Sequence, residues 1–281
     1  MSPARPAPVT FLFWNVAKND LVDPVVALAI EHSVDLVLLA EPGGLNLNRA
    51  LVALNQTSQR TYHLSESGSK HFAVLTRFER TWLRLVRPEG GDSRWTLRSL
   101  RIPTRPSLLL AGVHLPSKLH FTSDDQYAIA RALAAEISRH EHLARHTRTV
   151  VLGDFNMDPF EPGMQACDAM HGVLSRREVE LRGGKREWRG REHDMFFNPM
   201  WAHQGERDGA PPGTYYYPSG GVCVQYWHTF DQLLVRPGIM SGLLDVRVLA
   251  SAGDVSLLDE KGRPDRAAFS DHLPLLFRLR F

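Results

Sequence analysis

Six groups of polar residues, spread along the chain, combine side chains that can bind a metal ion and move protons. They are Asn15, Glu41, His114, the pair Asp154 and Asn156, Asp231, and the run Ser270-Asp271-His272. Glu41, Asp154 and Asp271 are hard oxygen donors of the kind that Mg²⁺ prefers. Neither a cysteine motif nor an H-E-x-x-H helix indicates zinc. Acids and histidines around a hard cation suit the hydrolysis of a phosphate ester, since the cation polarises the phosphate while a side chain activates water.

Most of these residues end a predicted β-strand or follow one directly. The β-branched and aromatic stretch 9–15 predicts a strand that ends at Asn15, and the apolar stretch 35–41 predicts a buried strand that ends at Glu41. Another apolar stretch, 149–153, predicts a strand that ends just before Asp154. Because strand ends at one edge of a sheet converge, these groups can meet although they are distant in sequence.

The remaining pattern consists mainly of strands, with one clear helix. Apolar residues at helical spacing predict a helix over 123–146 that begins with a capping box of Ser123 and Gln126. The segment 176–213 is rich in Gly, Pro, Arg and Trp and predicts long loops. Further strands are predicted at 61–64, 72–76, 82–86, 95–102, 108–113, 228–235, 243–249 and 273–281.

Length and composition indicate one ordinary globular unit. The chain has 281 residues, of which 43% are hydrophobic and 23% charged, with a formal net charge of +2. We predict a flexible lead over residues 1–8 and a single catalytic domain over 9–281. Cys167 and Cys223 form no metal-binding or disulfide pattern, which indicates a reducing compartment. With no signal peptide and no apolar run of spanning length, we expect a cytoplasmic protein that does not insert into membranes.

The motifs together resemble the endonuclease/exonuclease/phosphatase superfamily, which includes deoxyribonucleases, abasic-site endonucleases and bacterial sphingomyelinases. The resemblance rests on six motifs that occur in the family's order between residues 13 and 274: FWN, LLAE, GVHL, GDFN, FDQLLV and SDHLP. It implies an α/β fold, a four-layer α/β sandwich with two packed, mostly antiparallel β-sheets flanked by helices. It also implies dependence on Mg²⁺ or Mn²⁺.

The resemblance also implies a role for each motif residue. Glu41 corresponds to the principal metal-binding glutamate, with Asn15 and Asp271 as further residues of the metal site. Asp154 corresponds to the aspartate that aligns or activates the attacking water, and Asn156 to an asparagine that holds a phosphate oxygen. The remaining catalytic positions are His272, as general base or phosphate donor, Asp231, which orients that histidine, and His114, a donor to the phosphate or the leaving oxygen.

The chain departs from the family pattern near its first two motifs. Glu41 follows Ala40 where Gln is frequent, and Ala17 stands where several relatives carry an acid. The departure at Ala17 makes a second acidic metal contact near Asn15 doubtful, with Asp20 as a weak substitute.

A basic segment is the strongest candidate for contact with a polymeric substrate. Residues 176–191 carry seven basic side chains against three acidic ones. The segment is either a solvated loop or a wall that contacts additional phosphates. The predicted substrate-binding residues are Lys118, Arg182, Lys185, Arg186 and Trp188, and the tyrosine run at 214–218 either stacks on bases or packs against the core.

Three functions are consistent with these observations. The first is a metal-dependent nuclease that takes DNA or RNA as its substrate. The second is a phosphodiesterase or phosphatase acting on a small-molecule or lipid-headgroup phosphate ester, to which the small net charge is slightly better suited. The third is a binding module on the same fold that has lost catalysis, which the intact motif positions disfavour.

Overall fold

The computed structural model describes residues 6–281 except 59, 67, 87–92, 207–208, 219–220 and 223. Residues 1–5 of the predicted lead and Cys223 lie outside the described residues. The helices are α1 (Val22–Glu31), α2 (Leu47–Thr57), α3 (Ser123–Ala144), α4 (Pro162–Gln165), α5 (Arg176–Leu181) and α6 (Pro237–Met240), with 3₁₀ turns at Pro42–Gly44 and Pro199–His203.

Two large sheets carry the fold. The strands are β1 (Val9–Asn15), β2 (Leu36–Ala40), β3 (His63–Ser65), β4 (Phe72–Thr76), β5 (Leu83–Leu85), β6 (Trp95–Leu100), β7 (Leu108–His114), β8 (Thr149–Asp154), β9 (Gly172–Val173), β10 (Lys185–Trp188), β11 (Arg191–Asp194), β12 (Phe196–Phe197), β13 (Tyr215–Tyr216), β14 (Trp227–His228), β15 (Asp231–Val235), β16 (Leu243–Val248), β17 (Ser251–Ala252), β18 (Val255–Ser256) and β19 (Leu275–Leu279). The first sheet has the order β16-β19-β1-β2-β4-β3, and the second has the order β5-β6-β7-β8-β15-β12-β9. Most neighbours are antiparallel, but β1 with β2, β7 with β8, and β9 with β12 are parallel.

Alternating side chains of the central strands build four layers. Phe11 and Phe13 of β1 face the second sheet and pack in the core between the two sheets. Leu12 and Trp14 point the opposite way and pack against α1 and α2. On the outer face of the second sheet, β7 and β8 pack against α3 and α4. Since successive strand residues point to opposite faces, this alternation produces the predicted four-layer α/β sandwich, and that prediction is confirmed.

The structure corrects two local predictions. The cap of the long helix is Thr122, one residue before the predicted cap. Its side chain accepts from the backbone N–H of Asp125 in a complete capping box. Ser123 is therefore the first helical residue and not the cap. The segment predicted as long loops contains α5 and a hairpin of β10 and β11. This hairpin is exposed along β10, so no core-facing alternation marked it in the sequence.

No helix among the described residues has the length and apolarity needed to cross a membrane.

Gly153 allows β7 and β8 to approach closely beside the polar strand ends. A Cβ atom at this position would lie 2.0 Å from the carbonyl oxygen of Val113 on β7. We expect Gly153→Ala to push the two strands apart, which lowers thermal stability and displaces the adjacent Asp154. Thermal unfolding checks this, with Gly238→Ala as the control, since that glycine has nothing within 4 Å of an added Cβ and no positive φ. Equal stability of Gly153→Ala and the wild type would contradict the close approach.

Candidate active site

Strand register gathers three of the predicted residues in one row. Asp154, the last residue of β8, lies opposite His114 of β7 on one side and opposite Asp231 of β15 on the other. Asn15 ends β1 in the facing sheet, and its side-chain amide reaches across to Asp154. The edge where β7 and β8 end and β15 begins is therefore where both sheets deliver polar side chains.

Asp154 is held by donors from both sheets. Asn15 Nδ2 donates to Asp154 Oδ2 at 3.0 Å, and the backbone N–H of Asn156 donates to Oδ1 at 2.8 Å. Asn156 Nδ2 lies 3.3 Å from Oδ2 and also donates to the carbonyl of Leu115 at 2.8 Å. Asp154 is 1% exposed, so these contacts fix its carboxylate in one orientation. Asn156 adopts a left-handed backbone at φ 51°, a conformation that asparagine tolerates better than most residues.

His272 and Asp231 form a buried acid–imidazole pair. His272 Nδ1 lies 2.8 Å from Asp231 Oδ2, and His272 Nε2 lies 3.8 Å from Asp154 Oδ2. Burial disfavours the charged imidazole, but the charges of Asp231 and Asp154 outweigh it and raise the pKa of His272 to about 10. In the absence of a cation, His272 is therefore protonated at neutral pH and acts as a donor.

Glu41 joins the site through His114. Glu41 Oε1 lies 3.2 Å from His114 Nε2, and this nitrogen lies 3.9 Å from Asp154 Oδ2. Glu41 Oε2 lies 3.6 Å from Lys18 Nζ. The hydrogen bond from His114, supported by the charges of His114 and Lys18, lowers the pKa of Glu41 to about 2 in spite of partial burial. Glu41 is therefore ionised throughout the neutral range. Its backbone is left-handed at φ 49°, a conformation that carries strain in a glutamate.

The remaining predicted acids take different positions. Asp271 neighbours the imidazole of His272, and its negative charge adds to the rise of the histidine pKa. Asp20, the weak substitute, points away: its Oδ1 accepts from the backbone N–H of Asn46, and its Oδ2 lies 3.8 Å from Arg49.

The donor chemistry of the site fits a hard divalent cation. Side-chain atoms of Asp154, Asp231 and His272 lie within 4.8 Å of one another. The ionised carboxylate of Glu41 stands on the other side of His114. A concentration of oxygen donors with negative charge suits a hard divalent cation, and Glu41, Asp154 and Asn15 are the residues that would hold it.

The predicted substrate-binding residues divide into two groups. Lys118 lines a cavity that Asn156 also lines, directly beside the site. The other group lies at the opposite end of the second sheet and consists of Arg182, Lys185, Arg186 and Trp188. The chain that follows their hairpin accepts a hydrogen bond from Arg236 at the carbonyl of Met195, and Arg236 is five residues beyond Asp231, the first residue of β15. At about 3.3 Å per strand residue this separation is about 16 Å. Two of these residues already form ion pairs: Lys185 with Glu192 at 2.7 Å, and Arg182 with Glu178 at 3.3 Å.

The structure adds functional candidates that the motifs did not indicate. Asp158 Oδ2 lies 2.7 Å from His228 Nδ1, which makes a second acid–imidazole pair next to Asn156. An aspartate before a proline is usually a turn or capping residue, and the other oxygen of Asp158 does accept from the backbone N–H of Thr229 at 2.8 Å. Tyr215, from the tyrosine run, packs its ring 4.7 Å from that of His272.

Comparisons with known proteins agree with this geometry. The family model described as the endonuclease/exonuclease/phosphatase family matches residues 12–272. No curated protein sequence matches the chain significantly. Among solved structures, ANGEL2, a 2',3'-cyclic phosphatase in complex with adenosine-2',3'-vanadate, is similar with a TM-score of 0.60 at 16% identity, over 98% of this chain and 96% of that chain.

Two further structures show the same fold over nearly the whole chain. The endonuclease domain of TRAS1, a telomere-specific non-LTR retrotransposon, has a TM-score of 0.51 at 15% identity, covering 98% of this chain and 99% of that chain. Truncated TDP2 of Caenorhabditis elegans has a TM-score of 0.54 at 15% identity, with 98% of each chain covered. With the ordered motifs converging on one edge of the sandwich and a family model spanning nearly all of it, the chain belongs to the endonuclease/exonuclease/phosphatase family.

Proposed function

We propose that the protein is a divalent-metal-dependent phosphodiesterase that cleaves DNA or RNA. The observation that carries the proposal is the convergence of Asp154 with the Asp231–His272 pair on one side and with the His114–Glu41 pair on the other. This arrangement offers negative charge for a cation and protonated nitrogen atoms for a phosphate. Mg²⁺ or Mn²⁺, when bound, neutralises and polarises the phosphate.

Binding of the phosphate is assigned to neutral and positive donors around Asp154. The amide of Asn156 lies beside the carboxylate, and His272 Nε2 lies 3.8 Å from it. His114 Nε2, placed between Glu41 and Asp154, is a further donor at the same site. These groups are fixed before substrate arrives, so they stabilise developing negative charge with little reorganisation.

Asp154 is the proposed acceptor of the proton from the attacking water. His272 Nδ1 is engaged by Asp231 and its Nε2 faces Asp154, so it is assigned to donation toward the phosphate. Asp154 keeps its orientation through the two donors Asn15 and Asn156. Asp231 is the positioning residue that fixes the ring of His272 and keeps it charged.

A nucleic-acid substrate is supported by the similar structures of an endonuclease domain and of ANGEL2 bound to an adenosine compound. The basic residues of α5 and its hairpin remain a prediction from sequence. From their place at the far end of the sheet they would contact only phosphates distant from the reacting one.

A small-molecule or lipid-headgroup phosphate ester is the second candidate. The small net charge of +2 favours it, and so do exposed apolar side chains near the site, among them Leu119 at 76% and Phe160 at 43% exposure.

The test is a cleavage panel run with Mg²⁺, with Mn²⁺ and with EDTA. We expect chelator-sensitive cleavage of single-stranded DNA, RNA or plasmid. Cleavage of bis-p-nitrophenyl phosphate or of phospholipid vesicles without any cleavage of nucleic acid would support the second candidate. Cleavage that survives complete chelation would contradict the metal requirement.

A thermal-shift titration tests the metal residues separately from activity. Mg²⁺ at 100 times its dissociation constant stabilises a folded protein by about 2.7 kcal/mol. We expect the melting temperature of the wild type to rise with Mg²⁺ and that of Glu41→Gln to rise far less. Glu180→Gln, on the exposed surface of α5, is the matched control and keeps the full shift.

A further inference from the structure

A cavity of about 1060 Å³ opens beside Asn156. Phe160, Tyr215, Tyr217 and Phe230 line it together with His228. Its volume lies just above the ligand-cavity range of about 300–1,000 Å³. Because Asn156 lines the cavity and also contacts Asp154, a ligand in the cavity reaches the proposed reaction centre.

A row of rings runs from the catalytic histidine into this cavity. The Tyr215 ring centroid lies 4.7 Å from that of His272 and 5.2 Å from that of Phe230. The Phe230 centroid lies 4.7 Å from that of His228, at an interplanar angle of 23°. Tyr215 and His272 are also joined through their backbones by a β-bridge. The row of rings is therefore attached to the reaction centre by a ring contact and by a backbone contact.

The far end of the row is anchored by a buried acid. The Asp158 side chain is 2% exposed and lies 2.7 Å from Nδ1 of His228, whose own side chain is 19% exposed. The carboxylate fixes the ring orientation through Nδ1, which leaves Nε2 as the ring's second polar atom. The proposed reaction does not use this pair.

Among the described residues, the cavity lining carries no surplus of positive charge, with Lys118 beside the acids Asp158 and Glu161. Lys118 is paired with Glu161, and its ammonium lies 5.5 Å from the centroid of the Phe230 ring. The carboxylate of Asp158 is likewise occupied, by Nδ1 of His228. A second phosphate would need unbalanced positive charge, whereas a neutral, flat group with a polar edge matches ring faces and paired polar groups.

We propose that this cavity binds one unpaired nucleobase adjacent to the scissile phosphate and that His228, held by Asp158, contacts the polar edge of that base. The inference rests on the proposed function and specifies its substrate as single-stranded or unpaired nucleic acid. A base inside a duplex is stacked on both faces and paired at its edge, so it cannot enter the cavity without being extruded. A lipid chain would gain nothing from the buried Asp158–His228 pair.

The test compares single-stranded oligonucleotides that differ at one nucleotide next to a single cleavable phosphate, the remaining linkages being nuclease-resistant. That nucleotide is intact in one substrate and abasic in the other. We expect the wild type to cleave the intact substrate with a kcat/KM about 10- to 100-fold higher, the size of effect expected for one lost base contact. A duplex of the same sequence should be cleaved more slowly than the single strand.

His228→Asn is the informative variant, because its amide can still donate to Asp158 from the place of Nδ1 while the ring and Nε2 are lost. We expect its preference for the intact substrate over the abasic one to fall at least about 10-fold relative to the wild type. His142→Ala on the exposed side of α3 is the matched control and keeps the preference. Circular dichroism and thermal unfolding establish that each variant is folded.

The outcomes separate this inference from the proposed function. Nucleic-acid cleavage with equal rates on intact and abasic substrates, or with a preference unchanged in His228→Asn, overturns the base site and leaves the nuclease standing. Cleavage of phospholipid vesicles without cleavage of any oligonucleotide overturns both.

Discussion

Asp154→Asn is expected to lower kcat/KM by at least about 1000-fold while the protein stays folded. The substitution removes the negative charge on which Asn15, Asn156 and His272 converge. It removes a proposed proton acceptor, an effect of about 10²–10⁴ alone, and it weakens a cation site at the same time. Steady-state kinetics on a nucleic-acid substrate and on bis-p-nitrophenyl phosphate measure the loss.

The control is Asp245→Asn, at an exposed sheet edge where Asp245 pairs with Arg247 at 3.0 Å. It should retain the wild-type rate, which shows that loss of an arbitrary carboxylate is harmless. His272→Ala should lose activity on a similar scale, because it removes the charged donor opposite Asp154. If Asp154→Asn kept a rate within tenfold of the wild type, another residue would have to accept the proton.

The location of the site was predictable because strand ends carry its residues. Asn15 and Asp154 were expected after apolar strands, and β1 and β8 end at these two residues. The register of β7, β8 and β15 then aligns His114, Asp154 and Asp231 in a row. Strand pairing therefore determines which of these side chains meet.

The position of the basic residues was not predictable in the same way. Arg182, Lys185 and Arg186 belong to an exposed hairpin region with no buried face, so no alternation of apolar and polar residues reveals its direction. Its placement follows from a long-range contact, the donation of Arg236 Nη1 to the carbonyl of Met195 at 3.1 Å. Charge counting identified a basic segment but contains no information about which end of the sheet it occupies.

The Asp158–His228 pair shows a second limit. An aspartate before a proline in a loop is usually a turn or capping residue, and one oxygen of Asp158 has that role toward Thr229. The other oxygen meets a histidine 70 residues away. Such a pairing depends on how two loops fold over the same cavity, which a single sequence without a shared motif does not specify.

Glu141→Ala is expected to destabilise the protein by about 3–5 kcal/mol without changing the chemistry of the folded fraction. Glu141 and Arg236 are 3% and 4% exposed, and they form a two-point ion pair with distances of 2.8 and 3.0 Å. Thr149 also donates to Glu141 at 2.5 Å. Removing the acid leaves the guanidinium of Arg236 buried without its counter-charge, because its remaining partners among the described residues are the carbonyl of Met195 and the face of Phe196.

Urea unfolding measures the change through the midpoint and the slope of the transition. Glu178→Ala breaks the exposed pair with Arg182 and is the matched control, with an expected loss of only about 0.3–0.5 kcal/mol. The double variant Glu141→Leu with Arg236→Met should recover most of the stability, since apolar groups of similar volume replace both charges and no unpaired ion remains. A Glu141→Ala protein as stable as the Glu178→Ala protein would mean that water reaches Arg236 and compensates its charge. Arg236 follows the last residue of β15, whereas Asp231 is the first residue of that strand. The kcat of Glu141→Ala per folded molecule should therefore be unchanged. This result would separate the residues that stabilise the sandwich from those that act on the phosphate.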